Sequence, residues 1–144
     1  MKLLVINGPN INLLGVREPE IYGKETYRDL CRTVKQHCKE KNIKVRIIQS
    51  NYEGKIITEI QKAGKKFDGI LINPAGYTHT SVAIADAIKA VNLPCAEVHI
   101  SDTSSREDFR KHSFISPVSV KTVSGKGISG YIEAIDFLEN SVLK

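Results

Sequence analysis

The chain has 144 residues and a net charge of +5, with 41% hydrophobic and 26% charged residues. These values are ordinary for one globular domain over residues 1–144, and they exclude a disordered chain, a collagen-like repeat and a coiled coil. No apolar run approaches the roughly 18–20 residues of a membrane span. The first run, Leu3–Ile6, is shorter than a signal-peptide core of about 7–15 residues. We therefore expect a cytoplasmic protein with no membrane partner.

Short apolar runs alternate with amphipathic stretches along the chain. Leu3–Ile6 is predicted as a strand, followed by a polar loop to about Lys24 and a helix with Thr26 as its N-cap and Asp29 three residues on. βα units in series predict an α/β fold, a flavodoxin-like three-layer α/β/α sandwich with a five-stranded parallel sheet. The later predicted elements are strands at Ile43–Ile48, Gly69–Ile72, Cys95–Ile100 and Val118–Val123, helices from about Glu53, at Thr80–Val91 and at Ile128–Val142, and a helical turn at Arg106–His112.

The basic charge lies in the first half of the chain. Residues 1–72 hold 14 Lys and Arg against 8 Asp and Glu, whereas residues 73–144 hold 7 against 8. Nucleic acid or a small anion could bind such a surface. Because no aromatic residues alternate with the lysines, as base stacking would require, we favour a solvated surface and expect no nucleic-acid partner.

The three cysteines do not predict disulfides or a metal site. Cys31 and Cys38 lie on one predicted helix, about 10 Å apart along its axis, which is too far for a disulfide. No Cys-x-x-Cys pair occurs, and the histidines lack metal-ligand spacing. We expect all three cysteines, including Cys95, to be buried and free, and we expect no bound metal.

Polar residues follow three of the predicted strands. Doubly wound sheets bind ligands beyond the carboxyl ends of their strands, so these residues predict a ligand site. The segments are Asn7–Asn10, Asn73–Ser81 and Glu97–Ser101.

Glu97 and His99 are two residues apart on a predicted strand, so their side chains share a face. A carboxylate beside an imidazole fixes its tautomer and raises its basicity. A lone histidine here would be read as a core residue. The strand-end position and the following Ser101 favour a general acid or base.

Arg17 and Tyr22 lie in the long loop after the first strand. A tyrosine has an ordinary pKa near 10, and a guanidinium within about 4–6 Å lowers it by about 1–3 units. The two residues could therefore form a general base. The alternative, in which Tyr22 anchors the loop on the core, is favoured on spacing alone.

Arg106 and Arg110 have the i,i+4 spacing that places two side chains on one helix face. They could clamp an anionic ligand, or they could form ion pairs on a surface helix. The backbone N–H groups of Ile100 and Ser101, at a strand-to-loop turn, could bind a carboxylate.

Gly125–Gly130 matches the dinucleotide pattern G-x-G-x-x-G. It lies at the last βα turn rather than the first, and the chain ends before a ribose-binding acid about 20 residues on could occur. We interpret the motif as a structural turn and expect no cofactor.

Together these segments resemble the type II 3-dehydroquinate dehydratases. The resemblance covers essentially the whole chain, in order and at the expected spacing. The matching blocks are Asn7–Gly15, Arg17–Gly23, Asn73–Ser81, Glu97–Ser101, Arg106–Ser113 and Gly127–Tyr131.

The resemblance implies a cofactor-free anti elimination of water from 3-dehydroquinate, through an enolate, to 3-dehydroshikimate on the shikimate route to chorismate. It implies no lysine Schiff base. Tyr22 would be the base, with its pKa lowered by Arg17, and Asn10 would hold the enolate through a water. His99, oriented by Glu97, would give a proton to the departing hydroxyl group.

The resemblance also implies substrate contacts and a homododecamer built as a tetramer of trimers. The substrate hydroxyl groups would be bound by Asn73, His79 and Arg110, and the substrate carboxylate by the N–H groups of Ile100 and Ser101. Arg106 would help to close the lid over the substrate. Asp86 would reach the site of a neighbouring subunit.

The chain departs from the family pattern at three places. Tyr52 stands where many members have His, and Ala75-Gly76 reverses the common Gly-Ala order. Ala85 precedes Asp86 where many members have Arg, which affects an expected subunit contact.

Two other classes explain parts of the pattern. A flavodoxin-like small-ligand-binding module without catalysis would use the same sheet edge and would give a nucleotide-induced thermal shift. A nucleic-acid-binding domain would use the basic first half, with salt-dependent binding. Neither explains the blocks around Tyr22, Glu97 and His99 together.

Overall fold

The computed structural model describes residues 1–16 and 18–142, with the backbone alone at Tyr22. Short 3₁₀ turns occupy several connections between the main elements. The strands and helices are β1 (Lys2–Asn7), α1 (Pro19–Tyr22), α2 (Tyr27–Glu40), β2 (Lys44–Gln49), α3 (Glu53–Ala63), β3 (Gly69–Asn73), α4 (Val82–Val91), β4 (Cys95–His99), β5 (Lys121–Ser124) and α5 (Ser129–Val142).

The five strands form one parallel sheet in the order β2-β1-β3-β4-β5. Successive residues of β1 alternate between the two faces: Leu3 and Val5 pack with α2 and α5, and Leu4 and Ile6 pack with α3 and α4. Both faces are therefore buried under helices, as a parallel sheet requires. The predicted three-layer α/β/α sandwich is confirmed.

The strand order reverses direction at β1, which lies between β2 and β3. The carboxyl ends of β1, β3 and β4 are consequently adjacent, and Asn7 is in register with Asn73. A crevice opens at such a switch point in doubly wound sheets. This topology brings the three polar segments together, as predicted.

The helix starts follow local capping chemistry. Thr26 Oγ1 accepts the N–H of Asp29 at 3.1 Å and Asp29 Oδ2 accepts the N–H of Thr26 at 2.9 Å, so the predicted cap of α2 is confirmed. The predicted start of α4 at Thr80 is too early. Ser81 caps that helix by accepting the N–H of Ile84 at 2.9 Å.

Two other predictions need correction. The last strand begins at Lys121 rather than at Val118, because residues 116–118 form a 3₁₀ turn around Pro117, whose nitrogen has no proton to donate. Cys31 is only partly buried, whereas Cys38 and Cys95 are buried, and all three are free. No helix in the described part of the chain is long and apolar enough to cross a membrane.

Candidate active site

A cavity of about 120 Å³ lies beyond the carboxyl ends of β1, β3 and β4. Its lining brings together eight of the twelve site residues predicted from the sequence. They are Asn10, Asn73, His79, His99, Ile100, Ser101, Arg106 and Arg110.

The other four predicted residues have different positions. Glu97 is fully buried and contacts His99. Asp86 is exposed on α4 and does not line this cavity, so its predicted role needs another subunit. Arg17 and the side chain of Tyr22 lie outside the described residues.

The floor of the cavity depends on a close approach between the ends of β1 and β3. Gly8 donates its N–H to the carbonyl of Asn73 at 2.8 Å. A Cβ atom at Gly8 would lie 2.6 Å from the carbonyl oxygen of Pro74, so only glycine fits there. The approach positions Asn10, which has φ 70° and donates its N–H to Asn51 Oδ1 at 3.1 Å.

The reversed Ala75-Gly76 order has a structural consequence at the cavity wall. Ala75 adopts φ 52°, in the left-handed region that costs a non-glycine residue about 1–2 kcal/mol. Its N–H donates to Asn73 Oδ1 at 3.1 Å. The strained residue, Ala75, therefore also holds the side-chain amide of Asn73 in place.

A buried polar chain fixes Asn73 from below. Tyr131 is fully buried on α5, and its hydroxyl donates to Asn7 Oδ1 at 2.6 Å and accepts from Asn73 Nδ2 at 3.0 Å. Burial raises the pKa of Tyr131, so it keeps its proton. Tyr131 and Asn7 were missed as site-supporting residues because Tyr131 fits the apolar stripe of its helix.

Tyr131→Phe is expected to destabilise the protein by about 1–3 kcal/mol, because Asn7 Oδ1 and Asn73 Nδ2 would both lose a buried partner. Urea denaturation measures this loss. Tyr27→Phe is the matched control, since its hydroxyl lies 3.5 Å from Asn7 Nδ2, and we expect a smaller loss. Equal stability of wild type and Tyr131→Phe would contradict the argument.

Glu97 and His99 form a buried pair at the end of β4. His99 Nε2 lies 2.6 Å from Glu97 Oε2, and neither side chain is more than 8% exposed. Burial raises the pKa of Glu97, but the hydrogen bond and charge of His99 and the hydrogen bonds from Ser116 and Ser113 outweigh it, so the pKa lies below its usual range. Glu97 is therefore an ionised acceptor.

The tautomer of His99 follows from that charge. Because a carboxylate can only accept, His99 Nε2 carries the donated proton. Nδ1 is then the nitrogen left for a ligand. It holds a proton only when the ring is an imidazolium, and the carboxylate of Glu97 is the counter-ion of that form. The pair can thus deliver a proton into the cavity.

His79 has the opposite arrangement. Its Nδ1–H donates to the carbonyl of His112 at 2.7 Å. Burial lowers the pKa of His79, and the charge of Arg110 lowers it further, which outweighs the effect of that hydrogen bond. His79 therefore presents a neutral ring whose Nε2 accepts. Its ring also meets Phe109 edge-on, with centroids 6.5 Å apart.

The predicted helical spacing of Arg106 and Arg110 is wrong. Arg106 is extended, and the 3₁₀ turn covers only Asp108–Lys111. Both arginines still line the cavity, because the loop folds over it. The carboxylate of Glu107 lies 2.7 Å from Arg110 Nε and 3.9 Å from Arg106 Nε. Among the described lining residues there is no Asp, Glu or Lys, so the lining favours an anionic ligand.

The glycine motif near the C-terminus forms a turn, as predicted. Gly125 and Gly127 have φ 77° and 61°. Their N–H groups donate at 3.1 Å to the carbonyls of Ser101 and Ile100, respectively. The turn therefore shapes the cavity rim. Within the ranges that the structure describes, no group of three His, Cys, Asp or Glu side chains could hold a metal ion.

The fold and site define a class: a flavodoxin-like α/β protein with a cationic small-molecule pocket at its switch point and a buried acid–imidazole pair. The sequence model of the class II dehydroquinase family matches residues 1–139. The chain belongs to that family.

Individual relatives agree with this assignment. The 3-dehydroquinate dehydratase of Clostridium acetobutylicum is 51% identical over 144 residues, all of both chains. That of Fusobacterium nucleatum is 54% identical over 141 residues, 96% of each chain. The crystal structure of type II dehydroquinase from Butyrivibrio crossotus has a TM-score of 0.95 and 51% identity, over 96% of this chain and 97% of that one.

Proposed function

We propose that the chain is a 3-dehydroquinate dehydratase, a hydro-lyase that removes water from 3-dehydroquinate to give 3-dehydroshikimate. The observation that carries this proposal is the ionised Glu97 held at 2.6 Å from His99 at the edge of a cationic cavity. Such a site suits an anionic substrate that needs a proton on its departing hydroxyl group. Membership of the dehydroquinase family supports the same conclusion.

The reaction proposed for this site is an anti elimination through an enolate. Tyr22, its pKa lowered by Arg17, takes the C2 proton, and the electron pair moves onto the carbonyl oxygen. Asn10 holds the enolate through a water. The C–O bond then breaks, and His99 gives its proton to the departing hydroxyl, which leaves as water.

Binding roles are proposed for the rest of the lining. The N–H groups of Ile100 and Ser101 would receive the carboxylate, and Arg106 would close over the substrate. Three other lining side chains would bind its hydroxyl groups: Asn73, His79 and Arg110.

The resemblance supports further proposals about the pathway, the location and the assembly of the protein. They are a place on the shikimate route to chorismate, a cytoplasmic location, and a homododecamer in which Asp86 reaches a neighbouring site. The exposure of Asp86 on α4 leaves its carboxylate accessible to another subunit.

Turnover of 3-dehydroquinate tests the proposal. The conjugated product is followed by its ultraviolet absorbance, and we expect turnover that survives borohydride and a chelator. Inactivation by borohydride would contradict the Schiff-base-free route. A folded protein that binds but does not convert 3-dehydroquinate would favour the small-ligand-binding module without catalysis.

A further inference from the structure

Four hydrogen-bond donors converge on the carboxylate of Glu97. Oε2 receives His99 Nε2 at 2.6 Å and Ser113 Oγ at 2.9 Å. Oε1 receives Ser116 Oγ at 2.5 Å, and Thr122 Oγ1 lies 3.2 Å away. Three of the four donors are hydroxyl groups from outside β4. We call Ser113, Ser116 and Thr122 the hydroxyl cradle.

The geometry directs the Ser113 hydroxyl toward Glu97. Ser113 Oγ accepts the N–H groups of Ile115 and Ser116, both at 3.0 Å, so its own proton is left to donate to the carboxylate. The N–H of Phe114 donates to the carbonyl of Thr78 at 3.0 Å, which ties this segment to the turn after β3. Backbone hydrogen bonds therefore fix both the Ser113 hydroxyl and the segment that carries it.

Thr122 approaches from the other side. It lies on β5 in register with Glu97, and its hydroxyl is 3.2 Å from Ser116 Oγ as well as from the carboxylate. The cradle thus joins a loop and a strand around one charge.

Burial alone would make this carboxylate a neutral acid. Desolvation disfavours the charged form of a buried carboxyl group, whereas hydrogen bonds to that form favour it. The carboxylate of Glu97 is fully buried, yet its pKa lies below the usual range, because the hydrogen bond and charge of His99 together with the hydrogen bonds of Ser116 and Ser113 outweigh burial. His99 makes the larger contribution, and the hydroxyls add to it in keeping Glu97 ionised.

We propose that Ser113, Ser116 and Thr122 are positioning residues that hold Glu97 as a carboxylate, so that His99 can carry the proton it gives to the substrate. Only the last clause rests on the proposed function. Among the described residues, the titratable and charged groups near the pair are His79, from the turn after β3, Cys95, on β4 itself, and the two arginines that line the cavity with His99, Arg106 and Arg110. Burial and the charge of Glu97 raise the pKa of Cys95, so it stays a neutral thiol.

Removing one cradle hydroxyl has a defined electrostatic consequence. When a cradle hydroxyl is removed, the carboxylate of Glu97 loses one of its hydrogen bonds, so its charged form is disfavoured. Protonation of Glu97 therefore moves to higher pH, by about one unit for a hydrogen bond to a charged group.

Ser116→Ala tests this, with Ser119→Ala as the matched control. Ser119 lies close by, and its hydroxyl donates to the carbonyl of Ile115 at 2.9 Å. The readouts are the pH profile of kcat and the NMR signals of the His99 ring in protein with ¹³C-labelled histidine, assigned with His99→Gln. Because the ring lies 2.6 Å from the carboxylate, its signals follow the protonation of Glu97. We expect the step that protonates Glu97 to rise in Ser116→Ala and to stay in place in Ser119→Ala.

A second pair of variants keeps the test decisive if Ser116→Ala does not fold. Thr122→Val removes the hydroxyl with little change of shape, and Thr122→Ser retains it. The upward shift is expected in the valine variant alone. Folded variants in which Glu97 titrates as in wild type would overturn the proposal, as would a loss of kcat with an unmoved pH profile.

The NMR titration does not need turnover. If the wild type fails to convert 3-dehydroquinate, the proposed function is wrong, and the shift in the titration of Glu97 still decides the role of the cradle.

Discussion

Tyr22→Phe is expected to lower kcat for 3-dehydroquinate by about 10²–10⁴-fold, the range for removing a general base. The reaction needs a group that accepts a proton from carbon. Among the described residues that line the cavity the ionisable side chains are imidazoles and guanidiniums, and an arginine does not lose its proton in proteins. The base must then be a histidine or come from the loop after β1.

His79 is the competing base, because its neutral ring has an accepting Nε2. His79→Asn is the matched control, since the amide can replace the hydrogen bond that Nδ1 makes to His112 at 2.7 Å. If Tyr22 is the base, this variant chiefly raises KM. A Tyr22→Phe enzyme with kcat within a few-fold of wild type, beside a large loss of kcat in His79→Asn, would assign the base to His79.

The layers of the fold were predictable because local patterns agree with the topology. Every strand was found to within about three residues, and the capping pair of α2 lies at Thr26 and Asp29 as expected. The βα order predicted the parallel sheet, whereas the strand order and its switch point come from the structure. Val118 was placed in a strand because an apolar pattern cannot distinguish a strand from a 3₁₀ turn around Pro117.

The site residues that directly follow the ends of strands were predictable from the sequence. Asn10, Asn73 and His99 meet in one cavity because parallel strands end at the same edge of the sheet. Arg106 reaches the cavity for a different reason from the predicted one, since it is extended rather than helical. The path of the loop determines the position of Arg106, and the spacing of residues in the sequence does not predict that path.

The supporting residues could not be predicted in the same way. Tyr131 reads as one more apolar residue of α5, and its hydroxyl function appears only when Asn7 and Asn73 come within hydrogen-bond distance. Ser113 and Ser116 lie in a loop of ordinary composition. The register of Thr122 with Glu97 was the one sequence-accessible signal, and it needed the correct position of β5.

The ionised Glu97 makes stability depend on pH. Its folded pKa lies below the ordinary value of 4.5. Its contribution to stability is therefore fully present above pH 4.5 and is lost as pH falls through the folded pKa. The free energy of unfolding measured at decreasing pH contains the contributions of all carboxylates. A variant is therefore needed to isolate the contribution of Glu97.

Glu97→Gln supplies that variant and is expected to lower kcat by about 10²–10⁴-fold. The amide oxygen can still accept from His99 Nε2, and the amide nitrogen can donate to the hydroxyls of Ser116 and Thr122, so the shape is kept. The negative counter-charge 2.6 Å from the His99 ring is lost. The imidazolium that gives its proton from Nδ1 is then no longer paired with a carboxylate, although the ring stays in place.

Two measurements separate this loss of charge from a loss of structure. The stability of Glu97→Gln should fall less than that of wild type as the pH drops below 4.5, because the variant lacks the pH-dependent contribution of this carboxylate at every pH. His99→Gln should lose kcat to a similar extent, and the double variant should be little worse than either single one, since both changes remove the same proton donor. Additive losses, or a Glu97→Gln enzyme with wild-type kcat, would show that the proton for the departing hydroxyl comes from elsewhere.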